Sequence, residues 1–191
     1  MCLALVGSAL RRRGPGLAVA IVTGGVSMSW WVLLMAAWQR AYGSVFTEVG
    51  ALSAAFMLGM VGGAGSMRRW GGVEVRALPW LCLGGAALSG AMALGLARQW
   101  PLLTVPVLLV LAGGLTGATF PGVAELAGAG DSRRGAGHGF AAEEVGAAVA
   151  AALVGVLLLP GFGMARIASG LALLQLAAMA GLALSRLRRQ P

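Results

Sequence analysis

Apolar runs of roughly 20 residues, each about the length a helix needs to cross a hydrocarbon core about 30 Å thick, recur along the chain and are separated by short loops that hold most of the charge. The pattern predicts spans at 17–38, 49–67, 77–97, 101–123, 139–160 and 163–184. The expected fold is therefore all-α: a polytopic membrane helix bundle of about six transmembrane helices forming one domain over 17–184. Residues 1–16 are expected to be a short cytoplasmic or interfacial N-terminal segment, and 185–191 a basic cytoplasmic tail.

Charge gives the bundle a direction. Counted on alternate sides of the six spans, one side receives Arg11, Arg12, Arg13, Arg68, Arg69, Arg76, Arg133, Arg134, Arg186, Arg188 and Arg189, and the other only Arg40, Arg98 and Arg166. Arg accumulates in cytoplasmic loops, so the first side, with both termini, is expected to be cytoplasmic in a bacterial plasma membrane. The opening MCLALVGSAL is too short to cross a bilayer and precedes the Arg triplet, whereas a signal peptide places its positive charges first. It is expected to lie along the interface or to be the tail of a span belonging to a longer ancestral chain.

Composition agrees with lipid as the main solvent: 59% of residues are hydrophobic and 10% charged. All 14 basic residues are Arg against six acidic ones, a net charge of +8. Because they flank apolar runs, they point to membrane topology and not to nucleic acid. Gly makes up 32 of the 191 residues and sits inside the apolar runs, where it lets helix backbones approach closely. Small residues recur four apart at Gly59 and Gly63, Gly113 and Gly117, and Gly146 and Ala150, and are read as packing faces. Trp30 and Trp31 fall mid-span and are read as packing residues, whereas Trp70, Trp80 and Trp100 lie near span ends as interface anchors do.

Few polar groups could carry chemistry. Cys2 and Cys82 lie far apart in apolar runs and are read as small hydrophobes, with neither a disulfide nor a metal implied. Glu74 and Asp131 sit beside Arg in inner loops, and Glu48 closes the first outer loop. Glu125 ends the fourth span, and Glu143 and Glu144 lie about one turn inside the fifth. A carboxylate at that depth is costly and is expected to face protein or water. Adjacent helix positions point about 100° apart, so one of Glu143 and Glu144 should face inward. It either pairs with Arg133, Arg134 or Arg69, or serves a cation path; near a helix N-terminus the dipole alone also favours it. No phosphate loop, H-E-x-x-H or G-x-S-x-G motif is present, so neither an enzyme active site nor a cofactor is expected.

Two stretches resemble the membrane region of spermidine synthase-like proteins. The first is VTGGVSMSWWVLLMAAWQRAYGSVFTEVGALSAAFMLGMVGGAGS, with Gln39, Tyr42, Gly43, Val45, Phe46, Ala54, Phe56, Met57, Leu58 and Gly59 at the motif positions. The second is LTGATFPGVAEL followed by GFAAEEVGAAVAAALVGVLLLPGFG, with Thr116, Gly117, Phe120, Pro121, Phe140, Ala141, Glu143, Gly146, Ala147, Leu159, Pro160 and Gly163. Phe46 and Phe140 replace the family's aromatic hydroxyls, and Glu143 its Asp. The soluble aminopropyltransferase domain of the family has no counterpart here. The same region resembles one half of the major facilitator fold, whose units are six-helix halves. In GAGSMRRWGG, Arg68, Arg69 and Gly71 match that superfamily's inner-loop motif, with Met67 in place of its acid.

The resemblance implies a non-catalytic membrane subunit or anchor that assembles with a separate partner. The alternative is a half-size transporter acting as a homodimer on a cation such as a polyamine, using Glu143, Glu144 and Glu125. The polar groups near midplane are then Ser27, Ser29, Ser53, Ser89 and Thr116. A further alternative is an electron-transfer subunit holding haem, for which His138, placed in a loop before the fifth span, would be the only imidazole.

Overall fold

The computed structural model describes residues 2–43, 46–69, 74–96, 101, 104–128 and 132–187, with side chains described over 16–43, 46–67, 69, 76–96, 101, 104–127 and 135–181. The elements of the described chain are all helical: α1 (Cys2–Tyr42), α2 (Phe46–Arg69), α3 (Glu74–Leu96), α4 (Thr104–Gly128), α5 (Ser132–Ala152), a π-helical segment (Leu153–Leu158), α6 (Leu159–Phe162) and α7 (Met164–Leu187). Six stretches within them are long and apolar enough to cross a membrane: Gly16–Tyr42, Phe46–Met67, Arg76–Leu96, Thr104–Ala127, Gly135–Phe162 and Met164–Gly181. The protein is a multi-pass membrane helix bundle.

The backbone of residues 2–15 is helical and runs without a break into the first membrane-length stretch, which starts at Gly16. Leu, Ala and Arg, abundant there, are among the strongest helix formers. Likewise α5 starts at Ser132, so Arg133, Arg134 and His138 lie on a helix and not in a loop.

The turns between spans follow from local chemistry. Gly43 ends α1 at φ 78°, and its N–H donates to the Gln39 carbonyl at 3.0 Å, a left-handed cap that a side chain disfavours. Pro160 has no N–H, and its ring crowds the carbonyl four residues back. Ahead of it the helix widens, and the Leu159 N–H donates to the Val154 carbonyl, five residues earlier. Gly163 then breaks the helix at φ 75°, ψ 161°, a region open essentially to Gly alone. Gly163→Ala is accordingly expected to cost about 1–3 kcal/mol, read as a lower unfolding midpoint in detergent. Gly161→Ala, whose Cβ would meet nothing within 4 Å, serves as the neutral control.

The first and fourth spans form the axis of the bundle. Over their most apolar windows, α1 is 50% and α4 56% buried, whereas the other four spans reach only 17–28%. Between them and around them lies the main core, with Trp30, Leu33, Leu34, Met92, Leu109 and Ala112 at its centre. Packing follows an exchange rule: α2 lies against α4 as α5 lies against α1, α3 packs on α7, and α1 packs on α4. Swapping α1 with α4, α2 with α5 and α3 with α7 therefore reproduces these four contacts, whereas α4 also packs on α5 and on α3 without an equal counterpart between α1 and α2 or between α1 and α7.

The recurring glycines make the two closest seams. A Cβ on Gly59 would overlap the Val110 carbonyl oxygen, and one on Gly63 that of Gly114. From the facing helix, a Cβ on Gly113 would overlap the Phe56 oxygen and one on Gly117 that of Met60. Two small-residue pairs thus interlock face to face, with Cα–H groups aimed at carbonyl oxygens across the seam. On the α1–α5 seam, Gly146 stands against the Ile21 backbone and Gly24 against that of Glu143. The small-residue pairs are packing faces within this chain.

Candidate functional site

Between α1, α3, α4 and α7 the helices leave a cavity of about 330 Å³, at the lower end of the about 300–1,000 Å³ usual for small-molecule pockets. Its walls are Ala18, Val19, Val22, Thr23, Val26 and Trp30 from α1, Leu81 and Cys82 from α3, Leu115, Thr116 and Thr119 from α4, and Gln175, Ala178 and Gly181 from α7. None of these residues is charged.

One end of the cavity is closed by a hydrogen-bonded cluster. The Trp30 indole Nε1–H donates to Ser89 Oγ at 2.8 Å, and the Gln175 amide Nε2–H donates to the same oxygen at 3.1 Å. All three side chains are buried. Gly85 makes room for the cluster, because a Cβ there would overlap Gln175 Oε1 and come within 3.2 Å of the Trp30 ring. Three helices far apart in sequence are thus tied together at one hydroxyl.

The remaining polar groups of the cavity turn back on their own helices. Thr23 donates to the Val19 or Ala20 carbonyl, each 2.9 Å away. Thr116 donates to Ala112 O at 2.9 Å and Thr119 to Thr116 O at 2.7 Å. Their hydroxyl hydrogens are thereby committed within the helices, which leaves the oxygens as acceptors only. Of the other serines singled out in the sequence, Ser27, Ser29 and Ser53 bond the Gly24, Gly25 and Val49 carbonyls in the same way.

No protein-family model, curated protein or solved structure matches the chain. The geometry of its own residues is therefore what speaks to function. The three carboxylates singled out in the sequence stand apart from the cavity. Glu125 and Glu144 are exposed and Glu143 is half-buried on the α5 side of α1, and none lines the cavity wall. Arg69 is exposed, and the side chains of Arg68, Arg133 and Arg134 lie outside the described residues, as do Trp70, Gly71, Arg98, Trp100 and Asp131. His138 is exposed on α5 and engaged in an interaction. Among the described residues, no three His, Cys, Asp or Glu side chains gather where a metal ion could be held.

The motif positions fall into two groups. Phe56, Gly59 and Gly146 are buried at the close helix seams, and Gly43 caps α1. Gln39, Tyr42, Met57 and Pro160 are exposed, and Phe120 and Pro121 are half-buried on α4. Tyr42 belongs to a cluster at the far end of α1, its ring centroid 4.8 Å from that of Trp38. Trp38 Nε1 in turn donates to Glu48 Oε2 at 2.8 Å, joining α1 to the first turn of α2. Because the acceptor is a carboxylate, Trp38→Phe is expected to lower stability by about 1–2 kcal/mol, measured as the detergent unfolding midpoint. Glu48→Gln, which keeps a carbonyl acceptor, should cost less than half of that.

Gln175 and Thr119 were not among the polar residues the sequence reading singled out. Gln175 carries a recoverable signal, since a lone amide in the run GLALLQLAAM must find a partner inside the bundle. Cys82, read from sequence as a buried hydrophobe, is half-buried and forms part of the cavity wall.

Proposed function

We propose that this protein is a non-catalytic membrane component, one six-helix half of a facilitator-like body that works in association with a second six-helix body supplied by a separate membrane subunit. The observation that carries the reading is the exchange pattern of helix packing, in which α1, α2 and α3 are replaced by α4, α5 and α7. Three spans return the chain to the opposite face, so the second unit is inverted relative to the first. Such nested three-plus-three inverted repeats make up each half of a major facilitator carrier. Halves of that kind bury a face against a counterpart, and α2 and α5, with 17% of their apolar windows buried, have most of their surface to offer. The Arg bias favours an orientation with both chain ends cytoplasmic.

A cation carrier built on the carboxylates is the less supported reading, since Glu125, Glu143 and Glu144 all stand outside the cavity. Native mass spectrometry after gentle extraction from the cell's own membrane tests the proposal. The expected species contains the 19.2 kDa chain bound to a different polypeptide. A homodimer would make the second body another copy of this chain, and would send Glu143→Gln to proton and polyamine flux assays. A chain that is monomeric at every detergent concentration would sink the proposal.

A further inference from the structure

Three of the seams around the cavity are closed by helix packing: α1 on α4, α3 on α4 and α3 on α7. The fourth, between α1 and α7, is barely in contact, although the exchange of three-helix units makes it the counterpart of the packed α3–α4 seam. Exposure shows where the cavity opens. Among the described wall residues only Ala18 on α1 and Gly181 on α7 are exposed, while Trp30 and Gln175 at the other end are buried. From Ala18 to Trp30 the helix rises about 18 Å, close to the roughly 15 Å of hydrocarbon in one leaflet. The cleft thus runs from one end of the first membrane-length stretch, Gly16–Tyr42, to its middle.

Its chemistry suits a hydrocarbon chain. The lining threonines donate to carbonyls of their own helix, and the Trp30 indole N–H and one amide N–H of Gln175 are taken by Ser89. Among the described residues, no buried side-chain nitrogen or oxygen lacks a partner. A polar solute would lose its water there and find few groups to replace it, confined to the threonine oxygens and the amide of Gln175, whereas an alkyl chain gains dispersion contacts from the wall. The opening lies between two membrane-spanning helices, so the medium next to it is lipid. Beyond the rim, both flanking helices continue into Arg: Arg11, Arg12 and Arg13 precede Ala18 on α1, and Arg186 follows Gly181 on α7.

We propose that the cleft between α1 and α7 is a lipid-binding site, holding one acyl chain of an anionic phospholipid from the Ala18–Gly181 rim to the Trp30–Gln175 floor. The headgroup then lies at the Arg-bearing surface, where each nearby basic residue attracts anionic lipid. This site belongs to the single chain and is independent of any partner.

Cys82 reports on the cleft from within. In full-length protein carrying Cys2→Ser, washed of lipid in mild detergent, labelling of Cys82 by N-ethylmaleimide is expected to slow about tenfold on adding phosphatidylglycerol. Ala178→Trp, which fills the cleft, should abolish the phosphatidylglycerol adduct seen by native mass spectrometry. Ala177→Trp, on the exposed side of α7, should leave it intact. A labelling rate indifferent to phosphatidylglycerol overturns the site, as does a folded Ala178→Trp protein that keeps its lipid. Should Ala178→Trp fail to fold, the labelling rates decide alone. Equal protection by phosphatidylcholine would remove the preference for an anionic headgroup, and protection by palmitate alone would remove the phospholipid.

Discussion

Gly117→Leu is expected to lower the unfolding midpoint in mild detergent by roughly 10 °C, about 3 kcal/mol for a chain of this size. The substitution adds hydrophobic bulk, so it does not weaken the apolar character that drives insertion. What it destroys is the α2–α4 seam, where a Cβ on Gly117 would coincide with the Met60 carbonyl oxygen. The obstacle is backbone and not a flexible side-chain end, so the only relief is for the helices to separate. Gly63→Leu should behave alike, because its Cβ would overlap the Gly114 oxygen. Gly62→Leu and Gly65→Leu are built-in controls on the same helix, since nothing lies within 4 Å of a Cβ at either position. If all four variants melted together, the seam would not depend on the interlocked glycines and the packing described above would be wrong.

The second large effect is expected at Ser89. Removing its hydroxyl in Ser89→Ala strands two buried donors at once, the Trp30 indole and the Gln175 amide. Interhelical hydrogen bonds in a membrane protein average about 0.6 kcal/mol and reach about 1.7, so the pair should cost about 1–3 kcal/mol. The diagnostic is coupling. Trp30→Phe should be cheaper by about 1 kcal/mol in the Ser89→Ala background than alone, because its hydrogen bond has already gone. Additivity within about 0.5 kcal/mol in a double-mutant cycle would mean that the two side chains do not share the bond. Loss of the cluster should also open the deep end of the cavity, seen as faster maleimide labelling of Cys82 in the lipid-free protein.

Much of this architecture was legible from the chain alone, for reasons that can be traced to particular residues. The apolar runs announce helices because a membrane-crossing segment must satisfy every backbone group internally. Gly59 and Gly63, and Gly113 and Gly117, announced tight faces by their spacing. Glu143 drew attention because a carboxylate within a span is costly, yet the cavity lies on another side of α1 and does not use it. Gln175 stands out as a lone amide in an apolar run, but nothing in the local sequence of α7 says that it shares Ser89 with Trp30; Thr119, bonded one turn back to Thr116 on α4, gives no such signal.

What the sequence determined by itself is therefore the solvent, the number of spans and the charge asymmetry between their ends. Each of these is a local sum over about 20 residues, and no knowledge of neighbours is needed to take it. Only the tertiary structure decided which small faces interlock, that α1 and α7 stay apart where α3 and α4 close, and that none of Glu125, Glu143 and Glu144 lines the cavity. In lipid the hydrophobic effect does not choose between one apolar helix neighbour and another. The choice falls to backbone approach at glycines and to single shared hydrogen bonds such as those at Ser89, contacts that exist only once residues distant in the chain have been brought together.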